Sequence, residues 1–350
     1  MSTSAVCRVS FMTMKNILLL ICGLAGGVLA PVAGAVEALQ ARIERFDPAL
    51  DALLAPGARV EKLAEGFQWA EGPVWYDGAL VFSDVPQDTA YRWREGLTTA
   101  EVFLKPSGLP QAGAEARALF REPGSNGLAV DRAGRLLLCQ GGERRVARWA
   151  DGSFTAVADR FQGKRFNTPN DLAVRRSGEI YFTDPPYGFR EVDESPLREL
   201  PWHGVYRVAT DGTVTLLTKT IRYPNGLAFS PDERTLYVSS SDWGKTRILA
   251  FDVTADGALA NERVFFDAQP LAKPDAPGVC DGLKVDRDGN LWATGPGGVL
   301  VLDPAGRLLG RIVTGVPTGN CAWGDDGATL YLTANHFLLR VKTLTRGAGW

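Results

Sequence analysis

The chain has 350 residues, 45% of them hydrophobic, and a formal net charge of −2. That length and apolar content allow a sizeable core, and mild acidity without a Lys/Arg run excludes an electrostatic nucleic-acid binder. Only two histidines exist, His203 and His336, so a zinc site of three histidines is impossible and oxygen ligands must hold any metal.

Residues 1–35 read as an export leader. Arg8 and Lys15 make a basic start, Ile17-Leu18-Leu19-Leu20-Ile21 opens an apolar run that continues to Ala30, and Ala33-Gly34-Ala35 offers small residues for cleavage before Val36. An N-terminal membrane anchor is the alternative, but the run is short for a span and contains several glycines. The leader carries two basic residues and no acid, so its removal leaves a net charge of −4. The expected product is periplasmic or secreted, with no stable membrane insertion. Cys7 and Cys22 fall in the leader, which leaves Cys139, Cys280 and Cys321. An odd number leaves at least one thiol unpaired. A Cys280–Cys321 bridge and buried free thiols are both open.

Beyond the leader, short runs of aromatic and β-branched residues are punctuated by Gly, Asp and Pro, as in strand-rich proteins. One pattern recurs six times: a polar residue, usually followed by Gly, leads a short apolar strand, a turn, and a second apolar strand. Glu71-Gly72-Pro73-Val74-Trp75 leads into Leu80–Ser83, Asn126-Gly127-Leu128 into Leu136–Leu138, and Asn170-Asp171-Leu172 into Ile180–Thr183. Asn225-Gly226-Leu227 leads into Leu236–Ser239, Asp281-Gly282-Leu283 into Leu291–Thr294, and Asn320-Cys321-Ala322 into Leu330–Thr333. The leading residues are 55, 44, 55, 56 and 39 positions apart, about the length of a four-stranded propeller blade. The expected fold is therefore all-β, a six-bladed β-propeller with a central metal site, occupying residues 36–350 as one domain.

In a propeller the equivalent residue of every blade sits at one height around the axis. Glu71, Asn126, Asn170, Asn225, Asp281 and Asn320 would form a ring of two carboxylates and four amides. Buried polar groups need partners, and a hard cation supplies one, because carboxylate and amide oxygens are its preferred ligands. Turn formation alone explains Asn-Gly and Asp-Gly but explains Glu71 poorly.

These segments, with Tyr181-Phe182-Thr183-Asp184-Pro185-Pro186-Tyr187-Gly188 and Asp281-Gly282-Leu283-Lys284-Val285-Asp286, resemble the SMP-30/gluconolactonase/LRE-like family across nearly all of the mature chain. The resemblance implies a six-bladed propeller that hydrolyses sugar lactones, typically glucono-1,5-lactone, with one divalent cation in the channel. By position it implies Glu71, Asn225 and Asp281 as metal ligands, Asn170 as a contact to metal or substrate, and Asp281 as the proton acceptor. Animal members carry an arginine near this asparagine. The stretch from Arg165 to Asn170 is longer here and has no arginine at the matching place, so Asp184 is a candidate for the substrate-orienting role.

The expected cofactor is one divalent cation, calcium first, with magnesium, manganese or zinc as alternatives. It would polarise the lactone carbonyl while water attacks and Asp281 takes the proton. Asn126, Asn170, Asp184 and Tyr187 are the expected substrate contacts, Tyr187 because two prolines stiffen its loop into a wall for a sugar ring. No G-x-S-x-G elbow supports a serine route. His336, at the end of a blade-six strand, reads as structural rather than as a group in the channel mouth. Because fold does not fix function, two other readings stand: a related aryl-ester or organophosphate hydrolase, and a non-catalytic exported binding module with a structural metal.

The leader generates a direct test. Protein recovered from its native compartment should have an intact mass lacking residues 1–35; a mass that still includes them rules the cleavage out.

Overall fold

The computed structural model describes residues 39–110 and 113–349; the leader expected over residues 1–35 lies outside them. Six antiparallel sheets follow one another along the chain. Blade 1 comprises Ala70–Tyr76, Ala79–Asp84, Thr89–Trp93 and Glu101–Leu104. Blade 2 comprises Ser125–Val130, Leu136–Gln140, Arg145–Ala150 and Ser153–Ala158. Blade 3 is Leu172–Val174, Ile180–Asp184, Gly204–Val208 and Val214–Thr218. Blade 4 is Pro224–Phe229, Thr235–Ser240, Arg247–Val253 and Leu259–Asp267. Blade 5 contains Leu283–Val285, Leu291–Gly295, Gly298–Leu302 and Leu308–Val313. Blade 6 contains Asn320–Gly324, Thr329–Ala334 and Phe337–Lys342. The first strands contact one another in sequence and blade 6 returns to blade 1, which closes the ring.

Blade 6 takes its outermost strand from the other end of the chain. Val60–Glu65 pairs antiparallel with Phe337–Lys342, Val60 opposite Val341. The ring is thus closed by backbone hydrogen bonds rather than by a linker. A further N-terminal strand, Arg42–Arg45, adds a fifth strand to blade 5 beside Leu308–Val313, clamped by Arg311 to Glu44 at 2.6 Å.

The second strand of each blade reads as a continuous apolar run because both of its faces are buried. Strand side chains alternate between faces. Leu136 and Leu138 pack with Val81 and Leu104 of blade 1, while Leu137 and Cys139 pack with Leu172 and Phe182 of blade 3. Tyr181 and Tyr237 likewise turn toward the following blade. The core is therefore a series of six layers between blades. Hydroxyls near the ends of these strands tie alternate blades to the next: Ser83 Oγ donates to Asn126 O (2.9 Å), Thr183 Oγ1 to Asn225 O (2.8 Å) and Thr294 Oγ1 to Gly319 O (3.1 Å). Cys139, Cys280 and Cys321 are all buried free thiols, so the possible Cys280–Cys321 bridge is not formed.

The glycine after the leading residue has a steric cause. A Cβ on Gly226 would stand 2.4 Å from Asp281 O and 2.6 Å from Gly282 Cα, so the first strands of blades 4 and 5 could not approach as they do. Gly226→Ala should cost about 1–3 kcal/mol by overpacking and lower the melting temperature. Gly57→Ala, with nothing within 4 Å of its Cβ, should be neutral to within about 0.5 kcal/mol. Equal melting temperatures for the two variants would refute this account of the repeat.

Candidate functional site

The six leading residues converge where the first strands begin, at one end of the channel. Glu71, Asn126, Asn170, Asn225 and Asn320 are buried, and Asp281 is half-buried. Each strand entry is pinned from outside: Asn170 N donates to Thr183 O at 2.9 Å and Gly282 N to Gly319 O at 2.7 Å. The polar side chains are left to face one another. Glu71 Oε2 accepts from Gly72 N at 2.7 Å. Asn225 Nδ2 donates to Ser241 Oγ at 3.0 Å, and Ser241 donates in turn to Cys280 O at 2.6 Å, which fixes the amide. Oδ1 of Asn170 and Oδ1 of Asp281 are sealed from solvent without a hydrogen-bond partner.

Burial pushes the Glu71 carboxyl up to about 8, and the nearby Asp171 charge adds to this against the Gly72 N–H. Asp281 is raised well above the carboxylate range, first by burial and then by Glu71, Asp171 and Glu122. Carboxyls that repel one another, with orphaned oxygens among them, fit a missing positive charge. Glu71, Asn170, Asn225 and Asp281 could hold a hard divalent cation through oxygen alone.

Sequence reasoning passed over Asp171. It stands where four of the six copies have glycine, Gly72, Gly127, Gly226 and Gly282, and that substitution was the available signal. Its carboxyl sits against Gly127, where a Cβ would come within 2.4 Å of Asp171 Oδ1. Oδ1 accepts from Leu172 N at 2.8 Å, and Oδ2 accepts from Asn320 Nδ2 at 3.2 Å. Asn320 Oδ1 accepts from Cys321 N (2.9 Å) and Lys284 Nζ (3.3 Å). Asp171 and Asn320 belong to blades three apart in a ring of six, so their bond crosses the channel. Asn320 thereby links Asp171 to Glu71, whose carboxyl it also hydrogen-bonds, and Lys284 brings a cation to the acidic cluster.

Asn126 and Asn170 line a cavity at the channel mouth together with Tyr187 and Glu122. The Tyr187 ring stacks on Tyr223 with centroids 5.5 Å apart, and Tyr223 stacks on His203 at 4.9 Å. His203 Nε2 pairs with Asp193 Oδ1 at 2.7 Å, while Tyr223 N donates to His203 Nδ1 at 3.2 Å. His203 is thus a brace for the aromatic wall. Asp184 is placed elsewhere. It is fully buried, and its Oδ2 accepts from Asn167 N at 2.8 Å. Asp84 does the same in blade 1, accepting from Gln68 N and Trp69 N at 3.0 and 3.1 Å. Asp184 therefore braces the chain entering blade 3 rather than orienting a ligand at the mouth. His336 occupies a hairpin turn between Thr329–Ala334 and Phe337–Lys342, with its ring against Phe337.

The sequence matches the SMP-30/Gluconolactonase/LRE-like region over residues 69–336. The chain belongs to this family. A gluconolactonase of Zymomonas mobilis is 40% identical over 318 residues, covering 87% of each chain. The solved structure of a gluconolactonase from Xanthomonas campestris superposes with a TM-score of 0.72 at 37% identity, over 86% of this chain and 94% of that one. The calcium-binding protein regucalcin from Agrobacterium tumefaciens shares the fold at 20% identity, with a TM-score of 0.63 over 84% and 96% of the two chains. In this SMP-30-family propeller the matched region begins just before Glu71 and ends at His336, so it contains the whole ring.

The shifted carboxyls make a sign-definite prediction. Glu71 has a folded-state pKa above its unfolded value, so its contribution to stability is present below pH 4.5 and is lost as pH rises through about 8. Asp281 shifts in the same direction. In chelator, the melting temperature should fall between pH 6 and pH 9, and calcium should suppress the fall. Glu71→Gln should flatten it. A fall unchanged in Glu71→Gln would assign it to other groups.

Proposed function

We propose that the protein is an exported, metal-dependent lactonase that opens sugar lactones such as glucono-1,5-lactone to the sugar acid. The observation that carries the reading is the ring. Two carboxyls and two amides, with Oδ1 of Asn170 and Oδ1 of Asp281 unpartnered, converge at one end of the channel beside a cavity that Asn170 lines, in a chain 40% identical to a gluconolactonase over 87% of its length. Calcium is the ion best matched to carboxylate and amide oxygens in a site of this kind, with magnesium, manganese or zinc as substitutes.

The bound cation supplies Lewis acidity, polarising the lactone carbonyl and stabilising the developing oxyanion. The protein does the rest. Glu71, Asn170 and Asn225 fix the floor. Tyr187, held flat by Tyr223, walls the sugar ring, and Asn126 and Asn170 offer amide hydrogen bonds at the mouth. Asp281 accepts the proton of the attacking water through an oxygen that no other protein group engages. As the ring C–O bond breaks, Asp281 returns that proton to the departing ring oxygen, which leaves the open-chain hydroxy acid at the mouth.

Two variants separate the roles of the carboxylates. Chelator should abolish lactonase activity and a divalent ion should restore it. Glu71→Gln and Asp281→Asn should both bind the ion more weakly, and saturating ion should partly rescue Glu71→Gln. Asp281→Asn has also lost the proton acceptor, so at full occupancy, checked by calorimetry, its kcat should stay roughly 10²–10⁴-fold below wild type. Equal rescue of both variants would make Asp281 a ligand only. Full activity in protein that elemental analysis finds free of metal would refute the metal-dependent reading.

A further inference from the structure

The mouth contains one carboxyl that neither holds the ring together nor takes part in the chemistry. Glu122 lies on the connection between blades 1 and 2, outside every repeat, yet lines the same cavity as Asn126, Asn170 and Tyr187. Its position is fixed from the blade-3 side. Arg121 N and Glu122 N both donate to Gly188 O, at 2.8 and 3.1 Å. Phe120 bridges Phe189 through the backbone, and their rings pack at 5.7 Å. Arg190 N donates to Leu119 O at 2.9 Å. The two loops are thus zipped together, and Glu122 is held rigidly relative to Tyr187, the residue just before Gly188. Oε1 pairs with the neighbouring Arg121 at 2.8 Å, and that arginine is half exposed; Oε2 has no partner among the described residues.

A carboxyl in such a place is costly. Burial raises the Glu122 pKa, with Arg121 opposing, and the group also repels Asp281. A structural role does not require that arrangement, because the backbone bonds to Gly188 already hold the loop. A ligand rich in hydroxyls would offset the cost, since one carboxylate accepts two O–H groups in short, charge-assisted bonds. A sugar lactone differs from a simple lactone chiefly in that respect.

We propose that Glu122 is the specificity residue that reads the hydroxyl groups of the lactone ring, in the cavity it shares with Tyr187. The proposal rests on the lactonase reading and sharpens its substrate class: polyhydroxylated lactones are selected over plain ones at the mouth, apart from the ring that performs the chemistry. A site built to bond a substrate hydroxyl discriminates strongly against the analogue lacking it.

The test compares glucono-1,5-lactone with δ-valerolactone, which keeps the ring ester and has no hydroxyls, on metal-replete wild type, Glu122→Ala and Glu122→Gln. Glu122→Ala should lose roughly 10- to 100-fold in kcat/KM on the sugar lactone relative to δ-valerolactone, mostly through KM; any effect of the lost charge on Asp281 appears in the kcat of both substrates alike and cancels in that ratio. Glu122→Gln, which retains one acceptor oxygen, should fall between. Equal losses on both lactones, or no loss on either, overturn the proposal. Calorimetry with 1,5-anhydroglucitol, which has the ring hydroxyls and no ester, reads the subsite without turnover. Its binding should weaken in Glu122→Ala, and unchanged binding overturns the assignment. A wild-type protein that hydrolyses neither lactone refutes the lactonase reading, and the anhydroglucitol arm then decides Glu122 on its own.

Discussion

Glu71, Asp171 and Asp281 bring three carboxyl groups close together in one channel, and the arrangement of the inner strands follows from having to hold them there. Removing an ionised carboxylate from water costs several kcal/mol even after relaxation. Left to themselves, three such groups would protonate or drive the strands apart. The directions of their shifts, all upward, record that conflict. The fold contains it by fixing each strand entry through contacts that do not involve the carboxyls, such as the hydroxyl ties from Ser83, Thr183 and Thr294 to the next blade. The positive charge that resolves the conflict can then be bound without moving the backbone.

The sixfold repeat supplies six equivalent positions, but the channel uses them unequally. Two of the six positions after the leading residue are not glycine, and both serve the same network. Asp171 bonds Asn320 from across the channel, and the backbone of Cys321 holds the other end of that amide. Breaking the symmetry at opposite blades places a hydrogen bond across the channel. A separate cavity is lined by inner-strand residues such as Trp75, Phe229 and Trp323, with Lys284 reaching both its wall and the acidic network.

The blade pattern was legible in the sequence because a propeller repeats its physics. Each second strand packs on both faces, so each reads as an apolar run, and each first strand must let its neighbour approach, so glycine recurs. The closing strand Val60–Glu65 was not legible. It pairs with the opposite end of the chain, and nothing in its own composition points there. The ring residues could be read from their equivalence, whereas Asp171 required noticing the exception within it. Asp184 reads from the sequence as a stand-in for the arginine of animal members, and it lies just before Tyr187 and Gly188, which do line the mouth. The matching Asp84 after Ser83 already marked that register position as a brace for the preceding loop. Glu122 and Asp193 left no signal, since both lie in connections where no period operates.

That contrast carries a physical lesson about where discrimination resides. A ring residue such as Asn225 is constrained on every side, by Gly226 against Asp281 O, by Ser241 on its amide and by Thr183 on its carbonyl. It has little freedom to adapt to different sugars. The mouth adds loop residues from outside the repeat, braced on one side by the Asp193–His203–Tyr223 stack and on the other by the bonds to Gly188. A change there alters which ring fits without disturbing the oxygens beneath. Under the proposed roles, chemistry and selection fall on different parts of the chain: Asp281 belongs to the repeat, whereas Glu122 and Tyr187 lie in connections that no repeat constrains.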